Sequence, residues 1–210
     1  LQVASTKIKA LVDKDPSLIE VAKEIDKSIN NFNGYIEYTR LFVENIHQAV
    51  IKPYYALSAL ELVTETFDNF RNERNISLEL EIDEDLQAPL IPAAMYQGLV
   101  LNLFTNAIKA LINEKHENKL IVIQAWNEPK KHIVQVMDNG PGIPAGVRNR
   151  IWDPLYTTTS KDTNSLGSGM GLGLALVKRV VETQKGKIIL LDKAPANFST
   201  CFRIELPLGA

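Results

Sequence analysis

The chain has 210 residues, of which 45% are hydrophobic, 23% charged and 7% aromatic. This length allows one large domain or a medium domain with a smaller attachment, and the apolar fraction excludes a largely disordered chain. The net charge of −2 gives no electrostatic footprint for nucleic acid. A single cysteine, Cys201, excludes an internal disulfide and a multi-cysteine metal site, and it fits a reducing, cytoplasmic compartment.

Residues 1–50 are predicted to form a helical hairpin. A capping box at Ser17 and Glu20 marks the start of its second helix. From 18 to 46 the apolar positions alternate between spacings of 4 and 3 over four heptads, which is the repeat of a coiled coil or a helix bundle. Because one hairpin cannot bury so long a seam, we expect a homodimer through residues 1–47, in which each hairpin is half of a four-helix bundle. The alternative is that the seam packs against the rest of this chain.

The remaining residues, 51–210, are predicted to form a second domain. Hydrophobic periodicity indicates helices at 60–70, 95–112 and 171–183, and strands at 76–82, 120–126, 133–137, 187–191 and 200–206. Helices and antiparallel hairpins in separate stretches favour an α+β sandwich. A long polar loop is predicted at 156–169, and loops of that length are usually functional or disordered.

One uncharged run, residues 86–108, is long enough to cross a bilayer. It contains two prolines near its start, and Asn102 and Asn106 would place two amides on one helix face in lipid, which is costly. We therefore expect no membrane contact from this run. The chain opens with Leu1 rather than Met, which indicates an excised fragment.

A polar stripe is predicted on the helix at 95–112. Asn102, Asn106 and Lys109 share one face of this helix, with apolar residues elsewhere. Asparagine carbonyl oxygens are hard ligands suited to Mg²⁺, and lysine neutralises phosphate. Taken alone, the same stripe also fits an ordinary amphipathic helix with a wet face.

A second polar segment, Asp138-Asn139-Gly140-Pro141-Gly142-Ile143, follows an apolar strand directly. A carboxylate at a strand end can accept a hydrogen bond from an exocyclic amine such as that of adenine, and the glycines let the backbone approach a flat base. The alternative is a tight turn, since Asn-Gly is a common turn pair.

A glycine-rich segment, Gly167-Ser168-Gly169-Met170-Gly171-Leu172-Gly173, leads into the helix at 171–183. Glycines at a helix N-terminus free backbone N–H groups to bind phosphate. The preceding stretch is a polar loop instead of a strand, which excludes a Rossmann motif, and no Walker lysine follows.

These segments, together with Trp152-Asp153-Pro154-Leu155-Tyr156-Thr157-Thr158-Thr159, stand in an order that closely resembles the ATP-binding domain of sensor histidine kinases. That domain belongs to the wider family of Bergerat-fold ATPases. The resemblance covers about 90–207, and the preceding hairpin resembles the dimerisation and phosphoacceptor module of the same kinases. It implies a Bergerat-type α/β sandwich, whose mixed, largely antiparallel sheet is covered by helices on one face.

The resemblance also implies roles for individual residues. Asn106 would coordinate the Mg²⁺ that bridges the ATP phosphates, with Asn102 close by and Lys109 facing phosphate, and Asp138 would bind the adenine amino group. Lys161 would lie in the loop over the phosphates. The other residues that it assigns to ATP binding are Gly140, Gly142, Ile143, Tyr156, Thr157, Gly167, Ser168, Gly169, Met170, Gly171, Leu172 and Thr200.

The implied reaction is transfer of the ATP γ-phosphoryl group to a histidine on the dimerisation helix, and then to a response regulator. None of His47, His116 and His132 lies in the motif that surrounds the acceptor in that family. We expect the acceptor upstream of Leu1, His47 at a helix end, and His116 and His132 on the polar surface. The parent protein would face the cytoplasm, with an inner-membrane anchor as one option.

Two alternatives stay open. One is a nucleotide-binding scaffold without autophosphorylation that docks partners through the hairpin. The other is a chaperone- or topoisomerase-type ATPase of the same fold, which the heptad hairpin and the closely spaced motifs disfavour.

Overall fold

The computed structural model describes Ile19, residues 52–157 and residues 171–208. Tertiary contacts divide the chain between Gln48 and Ala49, and the fold below is that of the second unit. The predicted hairpin and most of the predicted loop at 156–169 lie outside the described residues, so the dimer remains a prediction. No helix among the described residues has the length and apolar character needed to cross a membrane.

The described part contains helices on one side of a five-stranded sheet. In chain order the elements are α1 (Ala56–Glu65), α2 (Asp68–Asn72), β1 (Ile76–Ile82), α3 (Ala93–Ile112), β2 (Lys119–Glu128), β3 (Lys131–Asp138), α4 (Gly173–Thr183), β4 (Lys187–Leu190) and β5 (Thr200–Pro207). Two short 3₁₀ helices, Ala145–Val147 and Arg150–Trp152, stand between β3 and α4.

The sheet is mixed, with strand order β1-β2-β3-β5-β4. The pair β1 and β2 is parallel and is connected through α3, because parallel neighbours need a crossover. All other pairs are antiparallel. The predicted α+β class with a mixed, largely antiparallel sheet is therefore confirmed.

Strand β3 is central and almost completely buried. Because side chains alternate along a strand, His132, Val134, Val136 and Asp138 share the face that packs against α3. The other face carries the cluster Val122, Met137 and Cys201, which the chain after β4 covers with Leu191, Ala194 and Phe198. On the face toward α3, Val134 and Val136 thus separate two buried polar residues, His132 and Asp138.

Helix α3 supplies most of the core opposite β3. Its buried side chains recur at helical spacing and are Met95, Tyr96, Leu99, Val100, Leu103, Phe104, Ala107, Ile108 and Leu111. The helix begins after Pro92, whose carbonyl accepts the amide N–H groups of Met95 and Tyr96. It therefore starts two residues before the predicted boundary.

The prediction of one helix at 60–70 is wrong, because two short helices replace it. The Thr64 hydroxyl donates to the carbonyls of Leu60 and Glu61, and the Thr66 hydroxyl donates to that of Leu62. Such bonds compete with regular helical geometry, and the helix ends at Glu65. Phe67 then packs edge-on against Phe104, with ring centroids 5.7 Å apart.

Candidate functional site

Asp138 ends β3, and its side chain is only 4% exposed. Its Oδ1 accepts the Gly140 N–H at 3.0 Å, and the side chain of Thr200 on β5 makes a second hydrogen bond. Burial raises the pKa of this carboxyl group to about 6, although both hydrogen bonds act in the opposite direction. Asp138 on β3 stands directly opposite Thr200 on β5 in the sheet.

The turn after Asp138 requires glycine at two positions. A Cβ on Gly140 would lie 2.8 Å from Asp138 Oδ1 and 3.2 Å from Cβ of Ala110 on α3. Gly142 has a φ of +73°, which L-residues rarely adopt, and its missing Cβ would lie 3.3 Å from the Ser199 carbonyl oxygen. The backbone here consequently approaches both α3 and β5 closely.

Two residues that the sequence analysis did not single out hold this turn. Asn139 accepts the Leu120 N–H at 2.9 Å and donates to the Asn118 carbonyl at 2.6 Å. The Ser199 hydroxyl donates to the Gly140 carbonyl at 2.5 Å and to the Asp138 carbonyl at 3.2 Å. Asn139 stands inside the quoted motif, so its position was available, but its partners were not. Ser199 carries no comparable sequence signal.

The polar stripe on α3 runs between this turn and α4. At one end, Asn102 Oδ1 lies 2.8 Å from where a Cβ on Gly173 would be, and Asn102 donates to the Gly98 carbonyl at 2.8 Å. At the other end Ala110 contacts Gly140. Asn106 lies one helical turn from both Asn102 and Ala110, on the same face of α3. The stripe therefore extends from the N-terminus of α4 to the turn after Asp138. Partial burial lowers the pKa of Lys109 from its usual value.

The residues just before α4 lie against the backbone of Leu155 and Tyr156. Gly171 has a φ of +68°, and a Cβ there would lie 2.5 Å from backbone atoms of both Leu155 and Tyr156. Leu172 is buried and precedes the first helical residue, Gly173. The first N–H groups of α4 have no partner inside the helix, which makes this end suited to an anion.

Tyr156, whose backbone lies against Gly171, has aromatic and cationic neighbours. The Arg150 guanidinium carbon lies 4.5 Å from the centre of the Tyr156 ring. Trp152 packs edge-on against Phe202 of β5 at 5.9 Å. Thr157 is exposed, whereas Ile143 is half-buried and its carbonyl accepts from Arg148 at 3.1 Å. The role of Tyr156 in ATP binding stays a prediction.

The predicted residues therefore separate into two groups. The structure brings one group around the ends of β3, α3 and α4: Asn102, Asn106, Lys109, Asp138, Gly140, Gly142, Ile143, Tyr156, Thr157, Gly171, Leu172 and Thr200. The other group lies outside the described residues: Lys161, Gly167, Ser168, Gly169 and Met170. His47 also lies outside them, while His116 is exposed as expected.

The prediction that His132 lies on the polar surface is wrong. Its side chain is 0% exposed, with Nε2 2.8 Å from the Tyr96 hydroxyl and Nδ1 2.8 Å from Asn127 Oδ1. Lys130 and Lys131 precede it and suggested a solvent-exposed position. However, His132 lies on the same buried face of β3 as Val134 and Val136. Strand alternation was the signal that locates it correctly.

This arrangement combines a buried carboxylate, amide oxygens and a helix N-terminus within one region of the domain. The carboxylate can accept from an exocyclic amine, the helix end can receive phosphate, and amide oxygens suit a hard cation such as Mg²⁺. The described residues contain no cluster of three or more His, Cys, Asp or Glu side chains for a metal.

Comparison with known proteins defines the class to which this fold and site belong. Residues 93–210 match the family of histidine kinase-, DNA gyrase B-, and HSP90-like ATPases. This match covers more than half of the chain, and the chain belongs to that family.

Within the family, the similar proteins include sensor histidine kinases. The chain is 30% identical over 150 residues to the sensor histidine kinase TmoS of Ectopseudomonas mendocina, covering 71% of this chain and 15% of TmoS. It is 27% identical over 191 residues to the adaptive-response sensory kinase SasA of Gloeothece citriformis, covering 91% of this chain and 43% of SasA. The chain thus corresponds to less than half of either relative.

The solved catalytic domain of histidine kinase ThkA shares the fold. Its TM-score is 0.63 at 26% identity, and the match covers 76% of this chain and 97% of that domain. The predicted resemblance to a histidine kinase with an ATPase domain of this family is therefore confirmed.

Proposed function

We propose that this chain is the dimerisation and ATP-binding part of a two-component sensor histidine kinase. Its ATPase domain would bind Mg-ATP and present the γ-phosphate to a histidine of the dimerisation helix. The phosphoryl group would then pass to the receiver domain of a response regulator. Support comes from the family match, from the kinase relatives and from the described site.

The observation that carries the proposal is Asp138. A carboxylate this deeply buried, with its pKa raised to about 6, is costly to keep ionised at neutral pH. A structural turn would not need such a group, because a neutral asparagine could accept from the Gly140 N–H and donate to the Thr200 hydroxyl. An ionised acceptor at this place has a use if it recognises an amine, and the exocyclic amine of adenine is the ligand group that we assign to it.

The remaining residues would act on the phosphates. The N-terminal N–H groups of α4 and the Lys109 ammonium group would offset the negative charge, and Asn106 would hold Mg²⁺ with Asn102 beside it. The ion, when bound, neutralises charge that develops on the transferred group. Ile143 would flank the base, and Tyr156 the ribose.

In the transfer step a histidine nitrogen attacks the γ-phosphorus. The new P–N bond forms as the bond from phosphorus to the bridging oxygen breaks, and ADP leaves with that oxygen. Catalysis of this kind depends on positioning and charge neutralisation. We propose an acceptor upstream of Leu1, a homodimer through residues 1–47, and a cytoplasmic location for this part of the parent protein.

Calorimetric titration with a non-hydrolysable ATP analogue, with and without Mg²⁺, tests the nucleotide site. We expect binding that Mg²⁺ enhances, a loss of at least about 100-fold in Asp138→Asn because a charge-assisted hydrogen bond is removed, and loss of only the Mg²⁺ effect in Asn106→Ala. Asp83→Asn, which neutralises an exposed carboxylate after β1, is the matched control.

Phosphoryl transfer is tested separately with a longer chain that includes the segment before Leu1. We expect ATP-dependent formation of an acid-labile, base-stable phosphoryl group on a histidine there, followed by its transfer to a receiver domain. Nucleotide binding without any phosphorylation of the longer chain would favour the scaffold alternative. Absence of nucleotide binding by the folded chain would contradict the proposal.

A further inference from the structure

Arg148 joins two chain segments that are distant in sequence. It follows the 3₁₀ helix Ala145–Val147, and its side chain is 30% exposed. Its Nε–H donates to the Ile143 carbonyl at 3.1 Å, and its Nη1 donates to the Asp192 carbonyl at 2.9 Å. The Asp192 carboxylate is fully exposed and lies 3.8 Å from Nη1, so the main-chain carbonyl is the closer partner.

Both segments lead to Asp138. The first is the turn 140–143, in which Gly142 lies against Ser199. The second is the chain 191–199 between β4 and β5, which ends at Ser199. The Ser199 amide N–H and hydroxyl both donate to the Asp138 carbonyl, at 3.0 and 3.2 Å. Arg148 therefore closes a ring of contacts around the carboxyl end of β3.

The two partners of Arg148 differ in how firmly they are held. The chain after β4 is anchored, because Leu191, Ala194 and Phe198 pack on the cluster Val122, Met137 and Cys201. In the turn, Ile143 is only half-buried, and the next described contact is made by the 3₁₀ helix, whose Val147 N–H donates to the Pro144 carbonyl. Ser199 holds the start of the turn through the Gly140 carbonyl, and the Arg148 guanidinium group ties the Ile143 end of the turn to the anchored chain. Its planar array of donors suits two carbonyls in different directions.

We propose that Arg148 is a positioning residue for recognition of the nucleotide base. It fixes the Ile143 end of the turn 140–143 against the chain 191–199, and through that end the position of Ile143, the residue proposed above to flank the base. The proposal rests on the nucleotide-binding function proposed above and adds a residue that makes no contact with the nucleotide. Its effect is expected on the base, while the contacts to the phosphates stay unchanged.

The test is calorimetric titration of the 210-residue chain with ADP, with GDP and with a non-hydrolysable ATP analogue. In Arg148→Met, which keeps an unbranched apolar side chain, we expect about tenfold weaker binding of both adenine nucleotides, the size of one lost hydrogen bond of about 1.4 kcal/mol. The ratio of ADP to GDP affinity falls with it, and the Mg²⁺ dependence is unchanged. Arg148→Lys keeps the charge but not the fork, and it is expected between Arg148→Met and the wild type.

Two matched controls separate positioning from general stability. Asp192→Asn keeps the carbonyl that Arg148 contacts, and Arg179→Met removes an exposed arginine from α4; both are expected to bind as the wild type does. If Arg148→Met melts well below the wild type, Arg148→Lys carries the comparison. A lower melting temperature with an unchanged ADP to GDP ratio would overturn the positioning role, as would wild-type affinities in both variants. Failure of the wild-type chain to bind any nucleotide would instead contradict the proposed function.

Discussion

Strand β3 carries Asp138 at its carboxyl end and His132 near its amino end, and both side chains are almost fully buried on the face toward α3. Six residues of strand span about 20 Å. Helix α3 runs alongside over about 21 Å, from Tyr96 beside His132 to Ala110 beside Gly140. Strand β3 and helix α3 therefore form both buried polar sites, one at His132 and one at Asp138, but the two sites differ in their hydrogen bonding.

At the His132 end every polar atom of the ring is used. Asn127 donates through Nδ2 to the Gln87 carbonyl at 3.0 Å, so its Oδ1 faces His132 and accepts from Nδ1–H. Nε2 is then the acceptor of the Tyr96 hydroxyl. Burial holds the ring neutral by lowering its pKa to about 4. This end is a closed polar network inside the fold.

At the Asp138 end the balance is different. Among the described residues the Asp138 carboxylate accepts two hydrogen bonds, from the Gly140 backbone N–H and from the Thr200 side chain, while a carboxylate offers about four acceptor positions. Its pKa is raised where that of His132 is lowered. The comparison teaches that burial alone does not identify a functional group. Spare hydrogen-bonding capacity together with a costly charge is the further sign on which the proposed nucleotide site rests.

The largest effect is expected from His132→Leu. The substitution leaves the Tyr96 hydroxyl and the Asn127 amide without their partner, which should lower the free energy of unfolding by about 3 kcal/mol. Urea unfolding at pH 7.5 measures this loss, with the exposed His116→Leu as the control. Nucleotide affinity of the folded fraction should be unchanged. A loss below about 1 kcal/mol would show that the network is not needed for stability.

Asp138→Asn should have the opposite effect on the protein without nucleotide. The folded-state pKa of Asp138 is above its unfolded value of 3.8. Its contribution to stability is therefore present below pH 3.8 and is lost as the pH rises through about 6. An asparagine avoids that loss, and its amide can accept from Gly140 and donate to Thr200.

We expect Asp138→Asn to raise the free energy of unfolding by roughly 2 kcal/mol at pH 8. The difference from the wild type should shrink as the pH is lowered toward 4, because the wild-type carboxyl group then becomes neutral. Urea unfolding at several pH values measures both. A variant less stable than the wild type at pH 8 would contradict the assigned cost of the charge.

Nucleotide binding should weaken in acid for the same reason. As the pH falls through about 6, Asp138 gains a proton and loses its role as an acceptor, so binding of the ATP analogue should be about tenfold weaker at pH 5 than at pH 7.5. Titration calorimetry in matched buffers checks this. If Asp138→Asn shows the same acid loss, another group is responsible.

The smallest expected effect concerns two tyrosines at the His132 end of β3. Tyr96→Phe removes the donor to His132 and should cost about 1 kcal/mol of unfolding free energy. The Tyr54 hydroxyl is buried and has no partner among the described residues, so Tyr54→Phe should be neutral or slightly stabilising. Each variant loses one phenolic hydroxyl group. Equal decreases in unfolding free energy would contradict the hydrogen-bond network assigned to His132.

The sequence was most informative where local rules apply. Strand alternation and helical spacing predicted β1 exactly as the residues 76–82 and α3 to within two residues at its start. Glycine-rich segments marked Gly142 and Gly171, which are the two glycines with positive φ in the part of the chain that the structure describes. The split of the predicted helix at 60–70 was missed because hydroxyl bonds from Thr64 and Thr66 outweighed a favourable periodicity.

The sequence by itself indicated the family, the position of Asp138 at a strand end and the polar stripe on α3. These features depend on residue type and on spacing along short stretches of chain. Only the tertiary structure decided that His132 is a closed structural group and that Arg148 ties two segments together. One partner of His132, Tyr96, and one partner of Arg148, Asp192, stand 36 and 44 residues away in the sequence. Such pairs form because folding removes water from polar groups, which must then find partners wherever the chain brings them.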